Sequence, residues 1–503
     1  MVSQPEPLTA PIADCDLMLT GGRVIDPETG LDDFADVAIS GGTIVAVGGP
    51  ALRAGRTIDV TGRVVTAGFI DLHSHAQTIP SLRLQALDGV TTALELESGA
   101  GDVARSLDRA AAEGRPVNYG YSASWAQARM EVMDGTSPQG GFMDFTNGIA
   151  GTGWQQPANA GELAKIVGRL EDQLAAGALG IGVLVGYAPQ TGRNEYLRVA
   201  STAAQYDVPT FTHARSKNPE EPGSALEGVI EVVAAAAGSG AHMHLCHVNS
   251  TSLRSIDEVA ELIGGARERG LEVTTEAYPY GAGMTAVGVP FLHPDGLARV
   301  GISPSNLTIV ATGERPRDAE RLLQIRRETP GALVVIHYLD EGLEADLSVI
   351  RRALLLEDTA VASDAIPFTT PDGLVVEGDR ALPADAVSHP RTTGTFSRFL
   401  RTMVRETGAL SLSDALRRCS LLPAQFLEKS SPAMARKGRV QVGADADLIV
   451  FDPGHVTDRS TYDAPQASST GMEHVLVGGE PVVSEGSVVT TAMPGRPVVR
   501  GTR

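Results

Sequence analysis

The chain has 503 residues, and its 61 Asp and Glu outnumber 41 Lys and Arg to give a formal net charge of −20. Such a surface repels phosphate backbones and anionic lipid, so neither nucleic acid nor a membrane is an expected partner, and a small-molecule substrate is. The three cysteines, Cys15, Cys246 and Cys419, lie far apart and form no CxxC pattern, which leaves neither a disulfide framework nor a zinc ribbon. No apolar run approaches the ~20 residues of a membrane span, and no basic stretch followed by an apolar one opens the chain; a cytoplasmic protein is expected. A homo-oligomer is compatible with this reading. Lys165, Lys217, Lys429 and Lys437 are the only lysines.

In chain order, the first ~65 residues alternate with a period of two in runs at 16–19, 23–25, 37–39, 44–47 and 57–60, punctuated by Gly-Gly and Asp-Pro pairs. The last ~65 residues read the same way, with runs at 448–451, 473–477 and 481–483. Between them, buried β runs alternate with helical stretches at 102–113, 160–176, 225–236, 253–269 and 397–406. The β runs fall at 69–73, 91–96, 117–122, 179–185, 210–213, 242–247, 273–278 and 360–363. About eight βα units predict a closed parallel barrel. The interval before the last run, at about 284–357, is too long for one helix and predicts an inserted subdomain or lid. The 125–159 segment, with Gly140, Gly141, Phe142, Phe145 and Trp154, reads as a lid or as a packed surface loop.

The strongest chemical signal is Asp71-Leu72-His73-Ser74-His75 at the end of the first run. Residues i and i+2 of a strand face one side about 6.6 Å apart, so His73 and His75 can converge on one metal ion. His213 ends the fifth run, His247 the sixth and Asp364 the eighth. In a parallel barrel all these ends open on one face, where four imidazoles and a carboxylate would share a mouth. His242 and His244 have the opposite parity to His247 and are expected against the surrounding helices.

These residues carry a resemblance. The chain resembles the amidohydrolase superfamily, and within it the D-aminoacylase (N-acyl-D-amino-acid deacylase) group, in 68–75 (GFIDLHSH), 89–92 (GVTT), 177–180 (GALG), 277–280 (AYPY), 363–364 (SD), 389–396 (HPRTTGTF) and 443–453 (GADADLIVFDP). The resemblance implies a (β/α)8 TIM-like barrel at 67–434, carrying that insertion, and a small β-sandwich domain formed by both termini, 1–66 and 435–503. It also implies a zinc-dependent amide hydrolase.

The chain departs from the family where ligands are concerned. Strand four offers no lysine for carboxylation, and the cysteine that D-aminoacylases carry at the end of strand two is replaced around Glu95-Leu96-Glu97-Ser98. A carboxylate is a competent oxygen ligand, so Glu97 is the expected replacement, with Glu95 second by parity. Asn249 stands where the family has a lysine, and Ser122 to Trp125 replace a Gly-His pair. Arg129 and Arg391 remain at family arginines, each suited to a substrate carboxylate. The expected activity is hydrolysis of the amide bond of a small N-acylated, D-configured amino acid or related compound. One firmly bound zinc on Glu97, His213 and His247 would activate water, with His73 and His75 completing the site or holding a second, weaker metal. Asp364 would be the catalytic base and then acid, with Tyr278 or Tyr280 donating to the oxyanion or the substrate carboxylate. The alternatives are a cyclic amide or imide ring-opening enzyme and, from another class, a catalytically inactive barrel scaffold.

Overall fold

In the computed structural model, which describes residues 14–49, 52–137, 145–146 and 148–501, eight parallel strands follow one another in sequence order around a single sheet. They are Phe69–Asp71, Val90–Ala100, Asn118–Ser124, Ile181–Val183, Thr210–Thr212, Met243–Leu245, Val273–Ala277 and Thr359–Val361. Each falls on an expected β run, because β-branched and apolar residues bounded by Gly and polar turns favour strands. The intervening helices carry their own start signals. Asp102 accepts from the Arg105 amide to cap Val103–Glu113, and Asn159 with Glu162 and Ser224 with Glu227 form capping boxes on Ala160–Ala175 and Ala225–Ser239.

The seam between the eighth and first strands closes just beyond their ends, through a side chain and a short backbone bridge. The Ser363 amide donates to Asp71 Oδ1 at 2.9 Å and its hydroxyl donates to Asp71 Oδ2, while the His75 amide donates to the Ala365 carbonyl at 2.9 Å. Below the mouth, Ile70, Leu72, Leu94, Leu96, Leu179, Phe211 and Ala360 pack with Ala424, Leu427, Met434 and Val498 into a dry floor. Burial of this kind, at roughly 25 cal/mol per Å² of apolar surface, holds the strand ends in place.

As expected, strands from both ends of the chain, within 15–67 and 448–488, form one terminal β domain, hydrogen-bonded as a continuous nine-stranded sheet. Strand Cys15–Asp26 merges two of the expected runs across a bulge between Leu19 and Gly22. Strand Val64–Ala67 pairs antiparallel with Leu448–Phe451 and so couples the two ends. Leu17, Leu19, Val37, Ile39, Leu448 and Val450 form its core. Residues 495–501 leave the sheet and run under the barrel: the Val498 amide donates to the Tyr119 carbonyl at 2.7 Å and the Arg500 amide to that of Gly177 at 3.0 Å. No helix of the described residues is long and apolar enough to cross a membrane.

The interval before the eighth strand contains a three-stranded antiparallel sheet, Ala282–Ala286, Leu333–His337 and Leu307–Ile309, with helices Pro294–Val300 and Ala319–Glu328. Its last helix, Glu344–Leu355, packs instead on the barrel helices and strands. In the 125–159 segment Phe145 and Trp154 are fully buried, and Phe145 meets Tyr187 edge-on at 5.4 Å; Gly140, Gly141 and Phe142 lie outside the described residues.

Arg129, expected to contact substrate, instead ties this segment down. It is completely buried, donates to Glu195 at 2.5 Å, to the Trp154 carbonyl at 2.7 Å and to the Gln156 carbonyl, and lies 5.0 Å from the Trp125 ring centroid. Arg129→Ala leaves Glu195 buried without its cation and is expected to cost about 3–5 kcal/mol. A lowered thermal midpoint with unchanged KM of the folded fraction is the expected result; a raised KM with unchanged stability would return Arg129 to the substrate.

Candidate metal centre

Glu97 lies at the middle of the barrel mouth. Its Oε1 is 3.0 Å from His213 Nδ1 and 2.8 Å from His247 Nε2, and its Oε2 is 3.1 Å from His73 Nε2. Two ligands on one tetrahedral ion with bonds of about 2.0–2.1 Å stand roughly 3.4 Å apart, so these separations suit atoms that share a cation. Among the described residues three trios have all their ligand atoms within 4.8 Å of one another: His73, Glu97 and His247; His73, His75 and Asp364; and, beneath them, His73, Cys246 and Glu276. The expected grouping of Glu97, His213 and His247 meets at Glu97 Oε1, and His73 joins it at the other oxygen.

A second layer of carboxylates fixes the imidazoles. His73 Nδ1 is 2.5 Å from Glu276 Oε1, and His75 Nδ1 is 2.8 Å from Glu95 Oε2. Each carboxylate accepts the Nδ1 proton and so directs the Nε2 lone pair inward. The two Nε2 atoms face each other at 3.1 Å, an arrangement that needs a cation or a proton between them. Glu95 therefore orients a ligand, and its expected second place as a ligand itself goes to that role. Its position one pleat below Glu97 gives it the reach. Glu276 was not singled out by the sequence, although an acid in the strand Val273–Ala277 is a signal. Its Oε2 is 3.1 Å from His244 Nε2, and His244 packs between the rings of Phe211 and Phe426. His244 thus supports the carboxylate that holds His73, where parity had set it against the outer helices with no part in the site.

The electrostatics follow from burial. Desolvation opposes protonation of both imidazoles, yet Glu97, Asp364 and Glu276 hold His73 well above its usual range, and Glu95 and Asp364 hold His75 at about 9. Burial alone would raise Glu97, but His73 and His247 keep its carboxyl well below the ordinary value. His213 is pushed down to about 4 by burial despite Glu97. Four buried carboxylates, Glu95, Glu97, Glu276 and Asp364, face two basic side chains, Arg391 and Lys217; with neutral imidazoles the deficit is the charge of one divalent cation. The donor set of imidazole nitrogens and carboxylate oxygens fits zinc.

Strand four contributes no side chain here. A Cβ on Gly182 would lie 2.2 Å from the Glu97 carbonyl oxygen, so only glycine lets the two strands approach. His247 and Asp364 both occupy positive φ, 34° and 51°, a conformation that costs non-glycine residues of order 1–3 kcal/mol and clusters at functional sites.

Asp364 Oδ1 is 3.5 Å from the Nε2 atoms of His73 and His75 and 2.8 Å from Arg391 Nη2. Burial raises it, but Arg391 and His73 more than offset this and leave it below the usual carboxylate range. Arg391 is fully buried over the Tyr278 ring, 4.9 Å from its centroid, with guanidinium donors that make no well-aligned hydrogen bond among the described residues. None of Tyr278, Tyr280, Asn249 and Arg391 lines the cavity itself, and Arg391 borders it through Asp364. The Tyr280 hydroxyl donates to the Pro390 carbonyl at 3.4 Å, and Asn249 staples the backbone of Tyr278 and Tyr280. The cavity above the cluster measures about 30 Å³, room for a water or two, and is walled by Tyr187 and Lys217 and by Met284, Phe291 and Tyr338 of the insertion. None of these five was singled out by the sequence.

Comparison with known proteins identifies the family. The model of the amidohydrolase family matches residues 150–483, well over half the chain. An N-acyl-D-glutamate deacylase of Alcaligenes xylosoxydans xylosoxydans is 29% identical over 490 residues, 92% of this chain and 93% of the relative. A D-aminoacylase of the same organism is 26% identical over 511 residues, covering 93% and 95%. The crystal structure of N-acyl-D-glutamate deacylase from Bordetella bronchiseptica, complexed with zinc and a phosphonate inhibitor that mimics the tetrahedral intermediate, aligns over 97% of this chain and all of that one, with a TM-score of 0.74 and 26% identity. With the family model matching well over half of the chain and its barrel in common with these proteins, the chain belongs to the amidohydrolase family.

Proposed function

We propose that the chain hydrolyses the amide bond of a small N-acylated D-amino acid. The observation that carries this is the pairing of the histidine and carboxylate cluster with a fully buried arginine, Arg391, whose unaligned donors border Asp364. A planar guanidinium suits a substrate α-carboxylate, and the relatives named above are deacylases of this kind. Glu97, His213 and His247 would hold the zinc, with His73, His75 and Asp364 offering a second position; bound there, the metal would supply a water of pKa lowered towards ~7 and a Lewis acid for the scissile carbonyl. Asp364 takes the proton of the attacking water and delivers it to the leaving nitrogen, so one carboxylate serves as base and then acid. Arg391 positions the substrate and keeps Asp364 ionised, and the Tyr278 ring beneath it fixes its plane. The insertion wall, closing at Phe291 and Tyr338, excludes bulk water. The ring-opening alternative is less favoured, because the fourth strand reaches Glu97 with Gly182 and presents no lysine.

Release of the free amino acid from N-acetyl-D-amino acids, set beside ring opening of hydantoin and dihydrouracil, tests the reaction class. Turnover of the cyclic amides alone would overturn the deacylase reading. Elemental analysis is expected to find roughly one firmly held zinc per chain, lost in His213→Ala and His247→Ala; unaltered zinc in either variant removes that residue from the site. Asp364→Asn is expected to keep zinc and lower kcat by a factor on the order of 10²–10⁴, and near-normal turnover would make Asp364 structural. Glu97→Gln removes the shared negative charge and should release the metal, whereas Glu95→Gln, acting through His75, should weaken affinity by about 10–100-fold. Equal losses in the two variants would erase the distinction between ligand and orienting group.

A further inference from the structure

Opposite the metal cluster, the cavity wall carries a cation that the hydrolytic chemistry does not use. Lys217, one of four lysines in 503 residues, is 93% buried, and its side chain lines the cavity. Its backbone is pinned on both sides. Arg215 forms a two-pronged pair with Glu231 at 2.6 and 2.7 Å and donates to the Pro189 and Thr191 carbonyls, while Asn218 donates to the Gly223 carbonyl at 2.8 Å. The ammonium lies 4.1 Å from the Phe291 ring centroid and 5.0 Å from that of Tyr338, and it donates one hydrogen bond, to the Tyr338 hydroxyl at 3.2 Å. Among the described residues no carboxylate pairs with it.

A buried ammonium without an anion is costly, and an aromatic box offsets only part of that cost. Burial pushes Lys217 down to about 8, which leaves it mainly charged at neutral pH. Two of its three N–H donors remain for a ligand. Tyr338 lies next to the Arg391 side of the site: a Cβ on Gly283 would stand 3.4 Å from the Tyr338 ring and 3.9 Å from Arg391 Nη1, and Asp364, paired with Arg391, lines the same cavity as Lys217. Asn249, where the family has a lysine, supplies no charge there, because its amide is spent on the backbone of Tyr278 and Tyr280.

We infer that Lys217 binds a second carboxylate on the substrate, so that this site takes an N-acyl amino acid with two anionic ends, one on Arg391 and one on Lys217. The inference rests on the deacylase reading above. The second carboxylate has two sources, an acidic side chain or a dicarboxylic acyl group.

The test measures kcat/KM of the zinc-loaded chain for N-acetyl-D-glutamate against N-acetyl-D-glutamine, and for N-succinyl-D-alanine against N-acetyl-D-alanine. One pair is expected to favour its dicarboxylate, which identifies the source. Lys217→Met is expected to reduce that ratio by roughly 10–100-fold, the worth of a charge-assisted hydrogen bond, and Lys217→Arg to retain most of it. Zinc content and melting temperature, read on each variant, separate recognition from folding. Should Lys217→Met fail to fold, Lys217→Gln, which keeps the stem without the charge, takes its place. Turnover without preference in either pair, or a ratio unmoved by loss of the Lys217 charge, overturns the inference and leaves the deacylase reading standing. No turnover of any N-acyl amino acid overturns both.

Discussion

A single buried carboxylate, Glu97, governs the architecture of the barrel mouth. One of its oxygens faces the imidazoles from strands five and six and the other faces the histidine pair of strand one, so three separate chain segments converge on two atoms. An anion at this depth is tolerated only where positive charge surrounds it. The remaining features of the mouth supply that charge or orient it. Glu276 and Glu95 turn His73 and His75 inward, His244 braces Glu276 from below, and Arg391 steadies Asp364 across the seam. Gly182 lets strand four approach the Glu97 backbone closely enough for the barrel to keep its curvature there.

The site lies between two environments of different character. Beneath it, the floor of Ile70, Leu94, Phe211 and Ala360 admits no water and lowers the local dielectric, which strengthens each charge interaction above it. On the far side, the insertion presents aromatic and methionine side chains on a small antiparallel sheet of its own. A rigid floor and a separately folded wall divide the labour: the barrel fixes distances between ligands, and the wall controls access.

The eight strands were legible in the sequence because a buried parallel strand is a short apolar run with glycine or polar residues at its ends, a pattern that survives even when, as at Met243–Leu245, three residues make the ladder. His73, His75, His213, His247, Glu97 and Asp364 were legible for a related reason, since polar residues at the ends of apolar runs have few purely structural explanations. What could not be read was whatever depends on contacts distant in sequence. Arg129 has the chemistry of a carboxylate binder, and only the fold reveals Glu195 and two carbonyls around it. Glu276 and Lys217 belong to no motif, and their place follows from the strand and loop that deliver them. The parity that put His244 among the outer helices failed because the short strands of a tilted barrel do not keep strict alternation near their ends. The terminal β domain was legible because period-two runs punctuated by Gly-Gly and Asp-Pro mark hairpins at both ends of the chain, while the hydrogen-bonded order of those strands is set by contacts between the ends.

The barrel's seam has a consequence for how the molecule stays closed. Seven junctions between strands are backbone ladders, while the eighth relies on Asp71 with Ser363 and on His75 with Ala365. His73 and His75 stand on one side of that junction and Asp364 on the other. A divalent ion held by all three would be a clasp as well as a cofactor: it would fasten this join of the cylinder, and the ring of strands would resist opening most firmly when the site is loaded for chemistry.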